Sequence, residues 1–74
     1  MFKMTKIQKQ YIFSRNLKNE RAAKNWTQKQ AAEKIGVSIK SYGAWEEGRS
    51  LPRPWDLVKI EKVFLVSLEM MLKT

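Results

Sequence analysis

Residues 27–48 read TQKQAAEKIGVSIKSYGAWEEG, and this stretch decides the fold. Thr27 is a good helix start, because its hydroxyl can accept a hydrogen bond from a backbone N–H that the first turn leaves free. Gly36 is a typical helix end, because glycine adopts the left-handed backbone conformation without a steric penalty. Ser38 then offers a second helix start only two residues later. The spacing predicts two short helices that meet at a tight corner around Gly36.

Apolar patterns on both sides of this corner predict further helices. Residues 6–24 hold neither proline nor glycine and place their apolar side chains loosely on one stripe. Residues 49–54 are expected to form a loop, because their two prolines resist a continuous helix. The predicted helices are 6–24, 27–35, 39–46, 55–64 and 68–72. The expected fold class is therefore all-α, a compact five-helix domain that contains a helix-turn-helix.

Composition excludes most kinds of catalytic chemistry. The chain of 74 residues has no histidine and no cysteine, which removes the imidazole base, the thiolate nucleophile, the disulfide and the ordinary zinc site. Its seven acidic residues are scattered, without the spacing of a calcium or magnesium loop. We therefore expect no catalytic residue, no metal and no cofactor, and a protein that is not an enzyme.

Positive charge is concentrated in the first part of the chain. Fifteen Lys and Arg residues against seven Asp and Glu residues leave a net charge of +8. Residues 1–18 carry +5 and residues 19–45 carry +3, whereas residues 46–74 are neutral. This asymmetry favours a polyanionic partner that faces the first half. The alternative is that surface lysines only keep a small domain soluble.

The length fits one domain near the lower limit for a hydrophobic core. We expect the domain to span residues 11–74, preceded by residues 1–10 as a basic arm or as an extension of the first helix. No run of 18 apolar residues is present, and the first fifteen residues lack the pattern of a signal peptide. The expected location is the cytoplasm, without a membrane partner.

The residues of the corner resemble those of a known family. The chain is similar to the Xre/Cro family of phage and bacterial repressor domains from about Phe13 to Leu72. The resemblance is specific because it joins several elements at fixed offsets. These elements are Leu17 and Arg21, the run from Gln28 to Ser38, Trp45 to Arg49, Pro52, and Val66 to Leu68.

In that family the helix corresponding to residues 38–46 enters the major groove of duplex DNA. The resemblance implies that Gln28 hydrogen-bonds a phosphate and supports the base contacts. It also implies that Arg49 approaches the DNA backbone from the following loop. Groove-facing positions match Ser38, Ile39, Lys40, Ser41 and Ala44, with Gly43 on the same exposed side.

Three of the assignments that the resemblance implies leave alternatives open. Lys40 can donate to guanine in the groove, or it can serve only as a flexible phosphate contact. Ile39 can contact a thymine methyl group, or it can be partly buried under the second helix. Arg21 and Glu46 match a partly buried ion pair of the family, although both side chains can instead be merely solvated.

The function that the resemblance implies is sequence-specific binding of duplex DNA by a repressor-like transcriptional regulator. Because a single short helix makes few base contacts, two copies are expected to pair. The predicted surface of this homodimer is Val63–Leu72, which has more apolar residues than one narrow face can bury. The alternative there is that these residues complete the core of the monomer. All three tryptophans are expected in the core. An antitoxin-like or adaptor module that binds a protein on the same fold is the alternative function.

Overall fold

A computed structural model describes residues 5–73, which form five helices and no strand. The helices are α1 (Lys6–Ala23), α2 (Gln28–Ile35), α3 (Ile39–Glu46), α4 (Pro54–Phe64) and α5 (Leu68–Met71). The prediction of an all-α, five-helix fold is therefore confirmed. Within the described residues, none of the helices combines the length and apolar composition that crossing a bilayer requires.

The same reciprocal hydrogen-bond pattern, a capping box, begins α1 and α2. Thr27 Oγ1 accepts a hydrogen bond from Gln30 N at 3.1 Å, and Gln30 Oε1 accepts one from Thr27 N at 2.8 Å. Thr5 and Gln8 repeat this reciprocal pair at the start of α1, at 3.1 and 2.7 Å. Each pair satisfies two backbone N–H groups at the start of its helix. A Thr followed three residues later by Gln is therefore a strong sequence signal for a helix start.

Residues with a left-handed backbone conformation lie between the helices. Gly36 has φ +88° at the end of α2, and Asn25 has φ +58° in the turn after α1. Leu65 also has φ +58°, at the end of α4, where a β-carbon makes this conformation costly. Leu65 therefore strains the backbone of the turn between α4 and α5.

Four predicted helix boundaries differ from the structure by one residue: the end of α1, the start of α2, the start of α4 and the end of α5. Pro54 was expected in a loop but is the first residue of α4. Proline is tolerated at this position because the first N–H groups of a helix have no intrahelical partner. Arg53 precedes it without a capping side-chain hydrogen bond.

The N-terminal segment was predicted to be an arm or a helix extension. The structure describes residues 6–10 as the first turns of α1, where Gln10 Nε2 donates to the carbonyl oxygen of Gly48 at 2.6 Å. This bond joins α1 to the loop that follows α3. The part of the prediction that concerns residues 1–4 lies outside the described residues.

The core contains two of the three tryptophans. Trp45 is buried, and Trp26 is half-buried with its ring centroid 5.5 Å from that of Phe64. Trp55 is 57% exposed, so the prediction that all three tryptophans lie in the core is wrong for this residue. The reason is helical geometry, because Trp55 projects from the side of α4 opposite to buried Phe64.

The apolar C-terminal region mostly completes the monomer. Phe64 and Met71 are each 1% exposed, and Val63, Val66, Leu68 and Leu72 pack against the same core. The surplus of apolar residues predicted for Val63–Leu72 is therefore much smaller than expected. Leu65 and Met70 remain outside, at 85% and 53% exposure.

Candidate nucleic-acid interface

The corner between α2 and α3 is held by backbone hydrogen bonds to one carbonyl group. Gly36 N and Val37 N donate to the carbonyl oxygen of Ala32 at 2.8 and 3.0 Å. The small side chains of Ala31 and Ala32 are buried where the helices meet. Small residues at such a crossing let the helix axes approach closely, which fixes the direction of α3.

The inner face of α3 anchors it in the core. Tyr42 is fully buried and Trp45 is 4% exposed, with their ring centroids 5.9 Å apart in an edge-to-face arrangement. The expectation that these two side chains point inward is confirmed. The opposite side of α3 is consequently turned toward solvent.

The predicted groove-facing residues lie on that outer side. Ile39 is 52% exposed. Lys40 and Ser41 are exposed, while Gly43 and Ala44 are half-buried. The face is narrow and carries only one charged side chain, that of Lys40.

The two serines of this region engage each other. Ser38 Oγ accepts from Ser41 N and donates to Ser41 Oγ, both at 3.0 Å. Ser38 thus caps the start of α3 and holds the Ser41 hydroxyl in place. This arrangement orients the Ser41 hydroxyl at the surface of the helix.

A groove of about 400 Å³ runs beside α3, toward the start of α4. Arg49, one of the predicted residues, lines it and also pairs with Glu47 at 2.7 Å. Because both side chains of this pair are exposed, the pair is weak and Arg49 can exchange partners at little cost. The side chains that line the groove include Lys40, Ser41, Ala44, Arg49, Arg53 and Asp56.

Sequence reasoning missed Arg53. This residue was counted with the neutral segment 46–74, but it lines the same groove as Lys40. A signal was present, because Arg53 stands between Pro52 and Pro54, which restrict its backbone immediately before a helix. Its guanidinium lies 5.5 Å from the centroid of the Trp55 ring.

Arg21 and Glu46 form an ion pair between α1 and the end of α3. Arg21 Nε donates to Glu46 Oε2 at 2.7 Å, and Arg21 Nη2 donates to Glu46 Oε1 at 3.0 Å. Arg21 Nη1 also donates to the carbonyl oxygen of Trp26 at 2.8 Å. The Glu46 side chain is 2% exposed and that of Arg21 is 17% exposed, so solvent does not screen the pair fully.

Gln28, at the first position of α2, is tied to this pair. Its Nε2 donates to Glu46 Oε1 at 3.1 Å. A single carboxylate therefore connects α1, α2 and α3. Gln28 and the end of α3 are consequently held as one unit.

The electrostatics of this cluster favour an ionised Glu46. Burial alone would raise the pKa of its carboxyl group, but hydrogen bonding, chiefly from Arg21, and the positive charge of Arg21 outweigh burial and lower the pKa. The pKa of Arg21 is raised by its hydrogen bonds to Glu46. Burial raises the pKa of the Tyr42 hydroxyl, and the Glu46 carboxylate adds to this effect. Glu46 is therefore a charged acceptor at neutral pH.

Comparison with known proteins agrees with this geometry. A phage transcriptional repressor of Vibrio cholerae, RstR, is 43% identical over 53 residues, which are 72% of this chain and 47% of the repressor. The uncharacterized transcriptional regulator YqaE of Bacillus subtilis is 39% identical over 62 residues, 84% of this chain and 53% of the relative. The transcriptional activator BcrR of Enterococcus faecalis is 37% identical over 60 residues, 81% of this chain and 29% of the activator.

The chain thus spans about half the length, or less, of these curated relatives. No solved structure gives a significant match. The family model described as helix-turn-helix matches residues 17–70, which include α2, the corner and α3. The chain therefore belongs to the helix-turn-helix family of the Xre type.

Proposed function

We propose that this protein binds duplex DNA at specific sequences, with α3 in the major groove, and acts as a repressor-like regulator of transcription. The observation that carries the proposal is the outer face of α3, where Ile39, Lys40 and Ser41 are exposed on a corner held by backbone hydrogen bonds. A helix with its side chains is about 10–12 Å wide, which fits a major groove of about 12 Å.

The charges beside α3 suit a polyanion. Lys40, Arg49 and Arg53 line one groove next to the helix. Each of them can replace a counterion at a phosphate, which gives affinity without reading sequence. Gln28 adds a neutral donor at the start of α2, where the helix dipole also favours a phosphate.

Direct readout by α3 is modest in this proposal. Lys40 donates to guanine or to a neighbouring phosphate, and Ile39 with Ala44 contacts thymine methyl groups. Few side chains therefore reach base edges from one copy of the domain. A second half-site about 34 Å away raises both affinity and specificity.

Two copies pair through the apolar residues that remain exposed near the C-terminal end. Leu65 and Met70 are these residues within Val63–Leu72. Sedimentation at micromolar concentration measures the pairing, and a strict monomer with and without duplex DNA contradicts it. The regulator works in the cytoplasm of a bacterium or on a phage genome there.

The names of the relatives support regulation but not one direction of it. RstR is named a repressor, whereas BcrR is named an activator. We place this protein with the repressors because the RstR segment has the higher identity, 43% against 37%. A reporter gene fused to a bound site decides the direction of the effect.

Selection from random duplexes tests the proposal. The folded domain is expected to enrich a short half-site, with a binding constant that falls steeply as salt rises. For six to eight phosphate contacts per dimer, the slope of log K against log salt is roughly −5 to −7. A folded domain that enriches no sequence at low salt overturns the proposal and favours the protein-binding module instead.

A further inference from the structure

The side-chain amide of Gln28 has a defined orientation. Its Nε2 donates to Glu46 Oε1 at 3.1 Å, and the same carboxylate accepts two hydrogen bonds from Arg21. An ionised carboxylate can only accept, so the amide must present its nitrogen to Glu46 and not its oxygen. The Gln28 carbonyl oxygen, Oε1, therefore points away from the ion pair.

This carbonyl oxygen lies over the middle of α3. A β-carbon placed on Gly43 would stand 3.6 Å from Gln28 Oε1. A methyl group fits at that distance as an ordinary contact, but a longer side chain at position 43 would compete with the amide for the same space. Gly43 thus leaves the outer surface of α3 open for a side chain that comes from α2.

The oxygen is also free to accept a hydrogen bond. No donor in residues 5–73 bonds to Gln28 Oε1. Among those residues, the hydroxyl of Tyr42 is the one side-chain polar atom that is both fully buried and without a hydrogen-bond partner. Because Gln28 Oε1 also lacks a partner, it is accessible to solvent. An unpaired acceptor of fixed polarity therefore stands beside Gly43 of α3, the helix proposed to enter DNA.

We propose that Gln28 is a specificity-determining residue, whose carbonyl oxygen accepts a hydrogen bond from a base amino group in the major groove. This inference rests on the proposed function. In that groove adenine presents its N6 amino group and cytosine its N4 amino group, whereas guanine and thymine present carbonyl acceptors at the equivalent positions. Gln28 supplies the readout that Gly43 lacks, and the second N–H of its amide is still available to a phosphate.

Glu46 is the positioning residue in this proposal. Without its carboxylate, the Gln28 amide can turn over and present N–H donors to guanine or thymine. The Arg21 guanidinium prevents Glu46 from moving, since two hydrogen bonds hold it. Base preference at one position of the half-site is therefore determined by an ion pair that does not itself touch DNA.

The first experiment compares the sequences enriched by the wild-type chain and by Gln28→Met. Methionine is close to glutamine in length but has no amide. The wild-type chain is expected to prefer adenine or cytosine at one position by about tenfold, and the variant to lose that preference while it keeps the others. A uniform loss of affinity with unchanged preferences overturns the inference, because it is the behaviour of a phosphate contact.

The second experiment removes the amino group from the DNA. The enriched duplex is made with purine in place of that adenine, or with 2-pyrimidinone in place of that cytosine. Binding by the wild-type chain is expected to fall about tenfold, and binding by Gln28→Met is expected to stay the same. Equal losses for both proteins contradict the inference.

A third variant tests the positioning role. The Glu46→Gln variant is expected to prefer adenine or cytosine over guanine or thymine by no more than about twofold. The reason is that an amide at position 46 can hydrogen-bond either orientation of the Gln28 amide. The matched control is Glu33→Gln, which removes the same charge from an exposed side chain of α2. Melting curves establish that each variant is folded, and Gln28→Met carries the test if Glu46→Gln is not.

The outcomes separate this inference from the proposed function. A wild-type chain that enriches no duplex at all overturns both. A chain that enriches a half-site with the same preferences in Gln28→Met overturns only the reading by Gln28.

Discussion

The guanidinium of Arg21 in α1 and the carboxylate of Glu46 at the end of α3 are joined by two hydrogen bonds, at 2.7 and 3.0 Å. The two residues are 25 positions apart in the chain. Because Glu46 also accepts from Gln28, the pair joins the scaffold to the helix start expected to face DNA. One carboxylate therefore links the stability of the fold to the orientation of the Gln28 side chain.

Replacing Arg21 is expected to destabilise the fold. Arg21→Ala leaves the Glu46 carboxylate buried without its cation, which costs about 2–4 kcal/mol of unfolding free energy for a pair that is partly exposed. Chemical denaturation measures this cost. Arg15→Ala, an exposed position on the same helix, is the control and is expected to change little. Loss of DNA binding by Arg21→Ala without any loss of stability contradicts the structural role.

The same carboxylate is expected to make the fold sensitive to acid. Because the pKa of Glu46 is lowered in the folded state, its contribution to stability is complete above 4.5, the ordinary pKa of the group. The contribution is lost as the pH falls through the lowered pKa of the folded state. Unfolding free energies measured from pH 7 to about pH 3 should fall less for Glu46→Gln than for the wild-type chain. Parallel curves for the two proteins contradict this account.

Gly43 and Gly36 are expected to respond to alanine with opposite signs. Gly43→Ala should stabilise the domain by about 0.5–1 kcal/mol, because position 43 is inside α3 and the new methyl group makes only an ordinary contact. Gly36→Ala should destabilise it by about 1 kcal/mol, because φ there is +88°. Thermal unfolding of both variants measures the difference. Destabilisation by Gly43→Ala would show that the Gln28 side chain leaves no room at position 43.

Leu65 offers a stabilising substitution at a strained turn. Its φ is +58° and its side chain is 85% exposed, so at concentrations where the chain is monomeric Leu65→Gly loses little packing and relieves the left-handed backbone. We expect a gain of about 0.5–1 kcal/mol in unfolding free energy. Asn25→Gly is the comparison, with a smaller gain, because asparagine tolerates the same φ of +58° better than leucine. An equal effect at both positions is inconsistent with strain at Leu65.

Lys40 is expected to act on DNA binding without affecting the fold. Lys40→Ala removes an exposed charge from the outer face of α3, and its melting temperature should equal that of the wild-type chain. If Lys40 contacts a phosphate, the salt slope changes by about 1 and affinity falls for all sequences alike. If it donates to guanine, the preference at one base position relaxes instead. Unchanged binding contradicts both roles.

The helices could be predicted from the sequence because local hydrogen bonds set their ends. Thr27, Gly36 and Ser38 begin or end helices through contacts within four residues, so their neighbours along the chain suffice to predict them. The outward side of α3 was predictable for a related reason. Helical periodicity places Lys40 opposite Tyr42 and Trp45 once the latter are buried.

Long-range packing decided the remaining features. Trp55 is exposed because the core covers the opposite side of α4, and Arg53 lines the groove beside α3 because the start of α4 lies next to that helix. Phe64 and Met71 are buried because core residues from other helices surround them. The pattern of neighbouring residues along the chain does not show whether such a residue faces the core or a second copy.

The five helices, the corner and the family could be predicted from the sequence, because caps, glycines and apolar periodicity act over a few residues. Only the tertiary structure brought Gln28 to Glu46, across 18 positions of the chain, and set its carbonyl oxygen beside Gly43. The physical reason is that the direction of an amide depends on the group it faces. That group is supplied by the end of α3 and held there by Arg21 from α1.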